Sequence, residues 1–281
     1  MTSDELTAAL LAHFGAQGLR SNPVAPEGPL RGPGLPVQVG VYFSAAGPAE
    51  PLALGQYAEQ QGQEAGPMAG QLRLGTDRGA EFYLAPDGSV RAALLGTGLP
   101  DLPVNSSVAA FVEGLLLLDR QLPALSDAED RPGALAGYQQ LRQALIALDA
   151  AAFEYRESWW PRVLDDLRRP LNTDSSAAFE YLDSRGEKQI ATAIGSIGLP
   201  HPEELAWYRL RAEGVRAEQV TRVYCELEAC MMPGHYCSLW MARTFPNAAF
   251  THSFDYGETA ASREAGVKEL MRSVAELRDR Q

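Results

Sequence analysis

Residues 199–237 read LPHPEELAWYRLRAEGVRAEQVTRVYCELEACMMPGHYC, and they determine the expected layout of the second half of the chain. Pro202 suits the first position of a helix, where its missing N–H costs nothing, and Gly214 is a good residue to end that helix. The alternation over residues 220–225 then predicts a strand, and the apolar run 237–245 predicts another helix. The sequence therefore predicts a helix, a strand and a helix whose ends meet at one place.

Four side chains of this stretch, His201, Glu203, Cys230 and Cys237, are of the types that a catalytic zinc site uses. Such a site keeps three protein ligands and leaves one coordination position for water. The metal lowers the pKa of that water to about 7. A carboxylate that stands beside the metal without binding it can then move protons. We predict that His201, Cys230 and Cys237 bind Zn²⁺ and that Glu203 is the catalytic proton shuttle.

Other residues compete for places in this site. His235 could replace Cys237 as a metal ligand, and otherwise we expect it to line the mouth of the pocket. Cys225 lies on the predicted strand and is expected to be a small buried hydrophobic residue. Phe254 and Tyr256 could stack on a substrate base, although an aromatic residue on a strand more often belongs to the core.

The composition bounds the class of protein. The chain has 281 residues, of which 46% are hydrophobic, so it can form one large domain or two ordinary ones. Its 36 acidic residues against 24 basic ones give a net charge of −12. This balance disfavours non-specific nucleic-acid binding, which relies on Lys and Arg, but it does not exclude a local basic groove.

Cysteine usage and hydropathy indicate a compartment. All three cysteines lie within residues 225–237, which favours a metal site in a reducing environment over a disulfide framework. No apolar run reaches the ~18 residues that a membrane span needs. Residues 1–20 lack the basic start and the unbroken apolar core of a signal peptide. We therefore expect a cytoplasmic protein without a membrane partner.

The first half of the chain predicts a mixture of helices and strands. Thr2 and Glu5 have the spacing of a capping box at the start of an amphipathic helix. Residues 37–43 predict a short strand, whereas residues 47–67 show no clear period. A hairpin is expected around residues 85–88, where Pro fixes φ and Gly takes the left-handed conformation.

Short phrases in this half resemble the SUKH superfamily: GLPVQVGVYF (34–43), FYLAPDGSV (82–90), VNSSVAAFVEGLLLL (104–118) and SWWPRVLDDL (158–167). Domains of that superfamily act as immunity proteins against bacterial toxins and as protein-binding modules. The resemblance covers residues 1–170 and implies an α+β domain that binds a partner protein or restrains the rest of the chain. Trp159 and Trp160 are expected to be packing residues rather than a binding platform.

Residues 173–281 predict a second domain with the element order β-β-α-β-α-β-α. Residues 177–183 and 189–195 predict a hairpin, residues 248–254 a further strand, and residues 262–277 a final amphipathic helix. Helices that alternate with strands in this way are typical of a layered α/β fold. We expect three layers around a mixed sheet.

The phrases HPEE (201–204), VYCELEAC (223–230) and FPNAAFTHSFDYG (245–257) resemble the cytidine-deaminase superfamily, and most of all the deaminases of bacterial polymorphic toxin systems. The pattern H-x-E followed by two cysteines belongs to zinc deaminases. The resemblance implies that His201, Cys230 and Cys237 hold zinc and that Glu203 moves protons. It also implies an enzyme that hydrolytically removes ammonia from a cytosine or adenine base in a nucleic acid or a nucleotide.

Two features depart from that family pattern. Ala229 stands where the family usually has a proline before the first metal cysteine. Six residues separate Cys230 from Cys237, whereas the usual number is two. Pro233 and Gly234 should break a helix, so Cys230 is expected in a loop and Cys237 at the start of a helix. This loop leaves room for a substitute ligand.

Two other functions are compatible with the sequence. The chain could act on free nucleotides or nucleosides, towards which its acidic charge points slightly. It could also be a non-catalytic immunity or scaffold protein whose zinc is structural. A structural zinc usually has four protein ligands, so a fourth ligand from Cys225 or His235 would favour that alternative.

Overall fold

The structure is a computed structural model that describes residues 1–20, 34–128, 130–195 and 200–279; Leu199 of the stretch quoted above lies outside them. The chain divides into two compact units. The first comprises Met1–Asp127 and Ala136–Leu164, and the second comprises Ala128–Leu135 and Asp165–Gln281. The structure therefore groups residues 165–170 with the second unit, whereas the sequence placed them in the first domain.

The first five helices are α1 (Ser3–Phe14), α2 (Leu54–Gln60), α3 (Val108–Ser126), α4 (Arg131–Leu148) and α5 (Trp159–Asn172). The strands of the first unit are β1 (Leu19–Arg20), β2 (Leu35–Pro36), β3 (Gln38–Val39), β4 (Phe43–Ala45), β5 (Leu72–Thr76), β6 (Glu81–Leu84), β7 (Val90–Ala93) and β8 (Leu102–Asn105). Strands β3 to β8 form one antiparallel sheet in sequential order. Helices and an antiparallel sheet give the predicted α+β class.

The structure confirms some of the local predictions for the first unit and corrects another. The capping box is confirmed, because Thr2 Oγ1 accepts the Glu5 N–H and Glu5 Oε2 accepts the Thr2 N–H. The hairpin is also confirmed, with Gly88 at φ +84°. The prediction of a single strand over residues 37–43 is wrong. Gly40 adopts φ +50° and turns the chain, so the segment forms the antiparallel pair β3 and β4 instead.

Aromatic side chains fill the core of the first unit. The Phe82 ring lies 5.3 Å from the Phe111 ring and 5.2 Å from the Trp159 ring, centroid to centroid. Both tryptophans are buried, and the Trp159 Nε1–H donates to Asp77 at 2.8 Å. Buried indole N–H groups need such partners. The expectation that Trp159 and Trp160 are packing residues is confirmed.

Asn105 links two polar groups inside this core. Its Oδ1 accepts the Trp160 Nε1–H at 2.8 Å, and its Nδ2 donates to Asp149 Oδ2 at 3.0 Å. Asn105→Ala leaves an indole N–H and a carboxylate without these buried bonds, so we expect a loss of about 2–4 kcal/mol in unfolding free energy. Urea unfolding followed by circular dichroism measures it. The exposed Gln140→Ala is the control, and equal stability of the two variants would contradict the expectation.

Among the described residues, the second unit contains the first residues of α4, the end of α5, three further α-helices and four strands. They are β9 (Ser176–Leu182), β10 (Lys188–Ile194), α6 (Pro202–Ala212), β11 (Val220–Leu227), α7 (Cys237–Thr244), β12 (Ala249–Phe254) and α8 (Ala260–Asp279). The sheet order is β10-β9-β11-β12; β11 and β12 pair in parallel, and β9 pairs antiparallel with both β10 and β11. This mixed sheet with its helices is the predicted α/β architecture. Across the described part of the chain, no helix combines the length and apolarity that a membrane crossing requires.

The packing of this unit fixes the loops around one end of the sheet. Val223, Cys225 and Leu227 alternate inward along β11 and join the hydrophobic core. Gly266 of α8 packs directly on the loop after β12, because a Cβ there would lie 1.8 Å from the Asp255 carbonyl oxygen. The loop that follows β12 is thereby held against α8.

Candidate active site

Three elements begin or end at the candidate site. His201 is the N-cap of α6, which begins at Pro202 as the sequence predicts. Strand β11 ends at Leu227, so Cys230 lies in the loop that follows. Helix α7 begins at Cys237. The ends of a strand and of two helices therefore present these side chains towards one another.

The loop between the two cysteines is folded tightly. The Met232 carbonyl accepts the N–H groups of both His235 and Tyr236, at 3.1 and 3.0 Å. Tyr236 has φ +43°, a left-handed conformation that is uncommon for a residue other than glycine. The Ser238 N–H donates to the Cys230 carbonyl at 3.0 Å. These contacts hold the two cysteines side by side despite the six residues between them.

The spacing of the donor atoms fits a zinc ion. His201 Nδ1 lies 3.4 Å from Cys230 Sγ and 3.5 Å from Cys237 Sγ, and all three side chains are buried. Their three donor atoms lie within 4.8 Å of one another. A tetrahedral zinc ion with its usual Zn–N and Zn–S bond lengths holds such nitrogen and sulfur atoms about 3.5 Å apart. The three residues could therefore hold a metal ion together.

Glu203 lies beside this cluster. Its Oε2 is 3.8 Å from Cys237 Sγ, and the side chain is buried. Burial raises the pKa of the Glu203 carboxyl, and nearby Cys230 raises it further, although His201 opposes both effects. The raised pKa favours the protonated form, which suits a group that must take up and release a proton.

The two thiols have different affinities for a proton. Burial raises the pKa of Cys230, but a hydrogen bond from Cys237 and the charge of His201 together lower it well below its usual value. The pKa of Cys237 is raised by burial and by its neighbour Cys230. The Cys230 thiolate is therefore stabilised inside the protein, and the thiolate is the form that binds metals.

Asp166 of α5 contacts the other side of His201. Its Oδ1 lies 2.9 Å from His201 Nε2, and the carboxylate is buried. Burial raises the pKa of Asp166, but His201 and His235 lower it more, so the group stays ionised. Sequence reasoning missed Asp166, because it stands 35 positions before His201 in a helix that was assigned to the first domain.

His235, a candidate metal ligand from the sequence, contacts His201, Glu204 and Asp166 in the structure. Its ring lies flat against the His201 ring, with centroids 3.7 Å apart and planes 7° apart. His235 Nδ1 lies 2.6 Å from Glu204 Oε2, and Nε2 lies 3.3 Å from Asp166 Oδ2. Among the described residues, His235 is not part of the donor group around the two sulfurs.

The remaining predicted residues pack around the site. Cys225 is buried in β11, and its thiol interacts with the Glu203 carboxylate, which helps to raise the pKa of Cys225 after the main effect of burial. Ala229 and Phe254 are half-buried and pack on the core of the second unit. Within the described ranges none of these three joins the donor group. Contacts of Ala229 or Phe254 with a substrate stay predictions.

A cavity of about 10 Å³ adjoins the cluster, and its lining includes His201, Glu203, Cys230, Arg169 and Tyr256. That volume is close to what one water molecule needs. Arg169 is buried and donates to Ser175 Oγ at 2.7 Å. Burial lowers the pKa of Arg169, but Tyr256 and the neighbouring acidic groups raise it overall. A cation that sequence reasoning missed thus stands among the negative groups of the site.

Two family models match this chain. The Xanthomonas-like deaminase model matches residues 172–273, and the SUKH-4 immunity protein model matches residues 25–166. The search of curated proteins and the search of solved structures gave no match. The two matched ranges correspond to the SUKH and deaminase resemblances that short sequence segments indicated.

Proposed function

We propose that this chain, which belongs to the SUKH-4 immunity protein family and also contains a deaminase domain, is a zinc-dependent hydrolytic deaminase. Its substrate would be a cytosine or adenine base in a nucleic acid or a nucleotide. The observation that carries the proposal is the spacing of His201 Nδ1 from the sulfurs of Cys230 and Cys237, 3.4 and 3.5 Å. A buried carboxyl, Glu203, accompanies these three donors, as zinc deamination requires.

The residues of the site would have different roles in the reaction. His201, Cys230 and Cys237 would hold the ion, which supplies Lewis acidity that lets water react near neutral pH. Glu203 would take up on its carboxylate the proton that the attacking water loses, and deliver it to the departing amine. Asp166 accepts the hydrogen on His201 Nε2, so that Nδ1, on the side of the two sulfurs, is the nitrogen that would bind the ion.

A structural role for the zinc is less well supported. Structural sites usually have four protein ligands, whereas three donors form the group among the described residues. The two residues that could have supplied a fourth ligand, Cys225 and His235, are engaged elsewhere, with Glu203 in one case and with Glu204 and Asp166 in the other. The three-donor arrangement therefore favours catalysis.

The test of the proposal combines metal analysis with a substrate panel. We expect about one zinc ion per purified chain and ammonia release from at least one of cytidine, adenosine, their nucleotides, and single- or double-stranded DNA or RNA. The net charge of −12 favours a free nucleotide over a polymer, and the panel separates the two. Zinc without ammonia from any substrate would point to a structural ion, and a chain without zinc would contradict the proposal.

We also propose that the first unit binds a partner protein, as its SUKH-4 family membership indicates. Crosslinking of the full chain in cells, followed by mass spectrometry, tests this role. Crosslinks to a single partner should map onto residues of the first unit. Crosslinks confined to the second unit would contradict it.

A further inference from the structure

A single buried carboxylate, that of Asp166, contacts one ring nitrogen of each of the two stacked histidines of the site. Asp166 Oδ1 is 2.9 Å from His201 Nε2, and Asp166 Oδ2 is 3.3 Å from His235 Nε2. We infer that Asp166 is a positioning residue, which orients His201 for metal binding and anchors the loop between Cys230 and Cys237. The inference rests on the proposed function, because it concerns the same metal site.

The first role follows from the two nitrogens of the imidazole. Only one nitrogen of a neutral histidine carries hydrogen, and a carboxylate partner determines which one. With Asp166 at Nε2, a hydrogen stays on that nitrogen, so Nδ1, which faces the sulfurs of Cys230 and Cys237, is the nitrogen that would bind the ion once its own proton is lost. Loss of such a partner typically weakens metal binding 10- to 100-fold.

Asp166 could instead be a metal ligand itself, since it forms a second donor group with His201 and His235. The distances argue against this role. The 2.9 Å between Asp166 Oδ1 and His201 Nε2 is a hydrogen-bond length, whereas oxygen and nitrogen ligands of one tetrahedral zinc ion lie about 3.3 Å apart. The sulfurs, moreover, face Nδ1 rather than Nε2. Asp166 thus supports His201 from the side opposite the metal ligands.

The second role concerns the six-residue loop that departs from the family pattern. Glu204 Oε2 accepts the His201 backbone N–H at 3.0 Å and lies 2.6 Å from His235 Nδ1. His235 is therefore held between two carboxylates, those of Glu204 and Asp166, while its ring stacks on His201. Because His235 lies two residues before Cys237, its contacts with Glu204, Asp166 and His201 hold the loop that joins the two cysteines.

The position of Asp166 in the chain makes the inference specific. The deaminase match begins at residue 172, so the carboxylate that supports His201 lies outside the matched domain. Asp166 lies in α5, Trp159–Asn172, as does Arg169, which lines the cavity beside His201 and Glu203. A fragment that starts at residue 173 lacks both groups.

Asp166→Asn in the full chain tests the inference, because the amide keeps the size of the side chain and removes its charge. Asp165→Asn is the matched control: it is the neighbouring carboxylate, more exposed, and paired with Arg263 at 3.3 Å. We expect Asp166→Asn to weaken zinc binding 10- to 100-fold in competition with a fluorescent zinc chelator, and Asp165→Asn to leave it unchanged.

A spectroscopic signal distinguishes positioning from a general loss of stability. In the zinc-loaded wild-type protein we expect the His201 Nε2 proton far downfield in the ¹H NMR spectrum, because it is donated to a carboxylate. In Asp166→Asn it should move upfield and exchange faster, and in Asp165→Asn it should not. If Asp166→Asn does not fold, His235→Asn tests the loop role, since it leaves the Asp166–His201 bond in place. Several-fold weaker zinc binding is expected of it.

The outcomes separate the inference from the proposed function. A wild-type chain that binds zinc, with Asp166→Asn binding it as tightly as Asp165→Asn does, overturns the inference and leaves the deaminase proposal standing. Unchanged zinc binding in His235→Asn overturns the loop role. A wild-type chain that binds no zinc overturns both proposals.

Discussion

Glu203→Gln is expected to keep its zinc and to lose roughly 10²- to 10⁴-fold in the rate of ammonia release, which is the usual contribution of a positioned proton-transfer group. Glutamine has the shape of glutamate and can still donate and accept hydrogen bonds. It cannot take up a proton at neutral pH and release it again. The variant therefore separates proton transfer from the binding of metal and substrate.

The surroundings of Glu203 give the physical reason for this size of effect. Glu203 is 6% exposed, and its Oε2 lies 3.8 Å from Cys237 Sγ, so the carboxyl lies next to the donor cluster without belonging to it. Burial raises its pKa, which brings the group closer to the pH at which it must both accept and donate. Bulk solvent has little access to replace it as a proton carrier.

Glu213→Gln is the matched control, because Glu213 is the exposed residue at the other end of the same helix. Both variants are compared with the wild-type protein by ammonia release at saturating substrate and by zinc analysis. We expect Glu213→Gln to match the wild-type protein in both. Normal turnover in Glu203→Gln would show that another group carries the proton.

Much of the site could be predicted because its parts are contiguous in sequence. Pro202 at the first position of α6, the alternation in β11, and Pro233 and Gly234 in the loop each have a local physical meaning. These signals placed Cys230 in a loop and Cys237 at a helix start, which is where the structure has them. The positions of residues in short motifs can therefore be predicted from one sequence, and their chemical roles stay predictions.

The supporting residues could not be predicted in the same way. Asp166 and Arg169 lie on a helix whose local pattern only indicates packing, and they meet His201 and the cavity through tertiary contacts. Helix α2, Leu54–Gln60, was missed for another reason. It has seven residues and no side-chain cap, so neither its period nor its start produces a local signal.

Cys237→Ala is the second change with a large expected effect. It removes one of three metal ligands. The free energy of zinc binding to a protein site is about 10–16 kcal/mol, and we expect the variant to lose roughly 3–5 kcal/mol of it, which is more than ~10²-fold in affinity. The purified variant should therefore contain little zinc by mass spectrometry of the metal and release no measurable ammonia. His201 and Cys230, left as a pair, cannot complete a catalytic zinc site.

Cys225→Ala supplies the control, because it deletes an equally buried thiol that lies outside the donor group of the described residues. It should keep the zinc and cost about 1 kcal/mol of stability, as a typical core substitution does. The comparison also decides between catalysis and structure. If Cys225→Ala loses its zinc as completely as Cys237→Ala, Cys225 is a fourth ligand, the coordination position for water is filled, and the ion has a structural role.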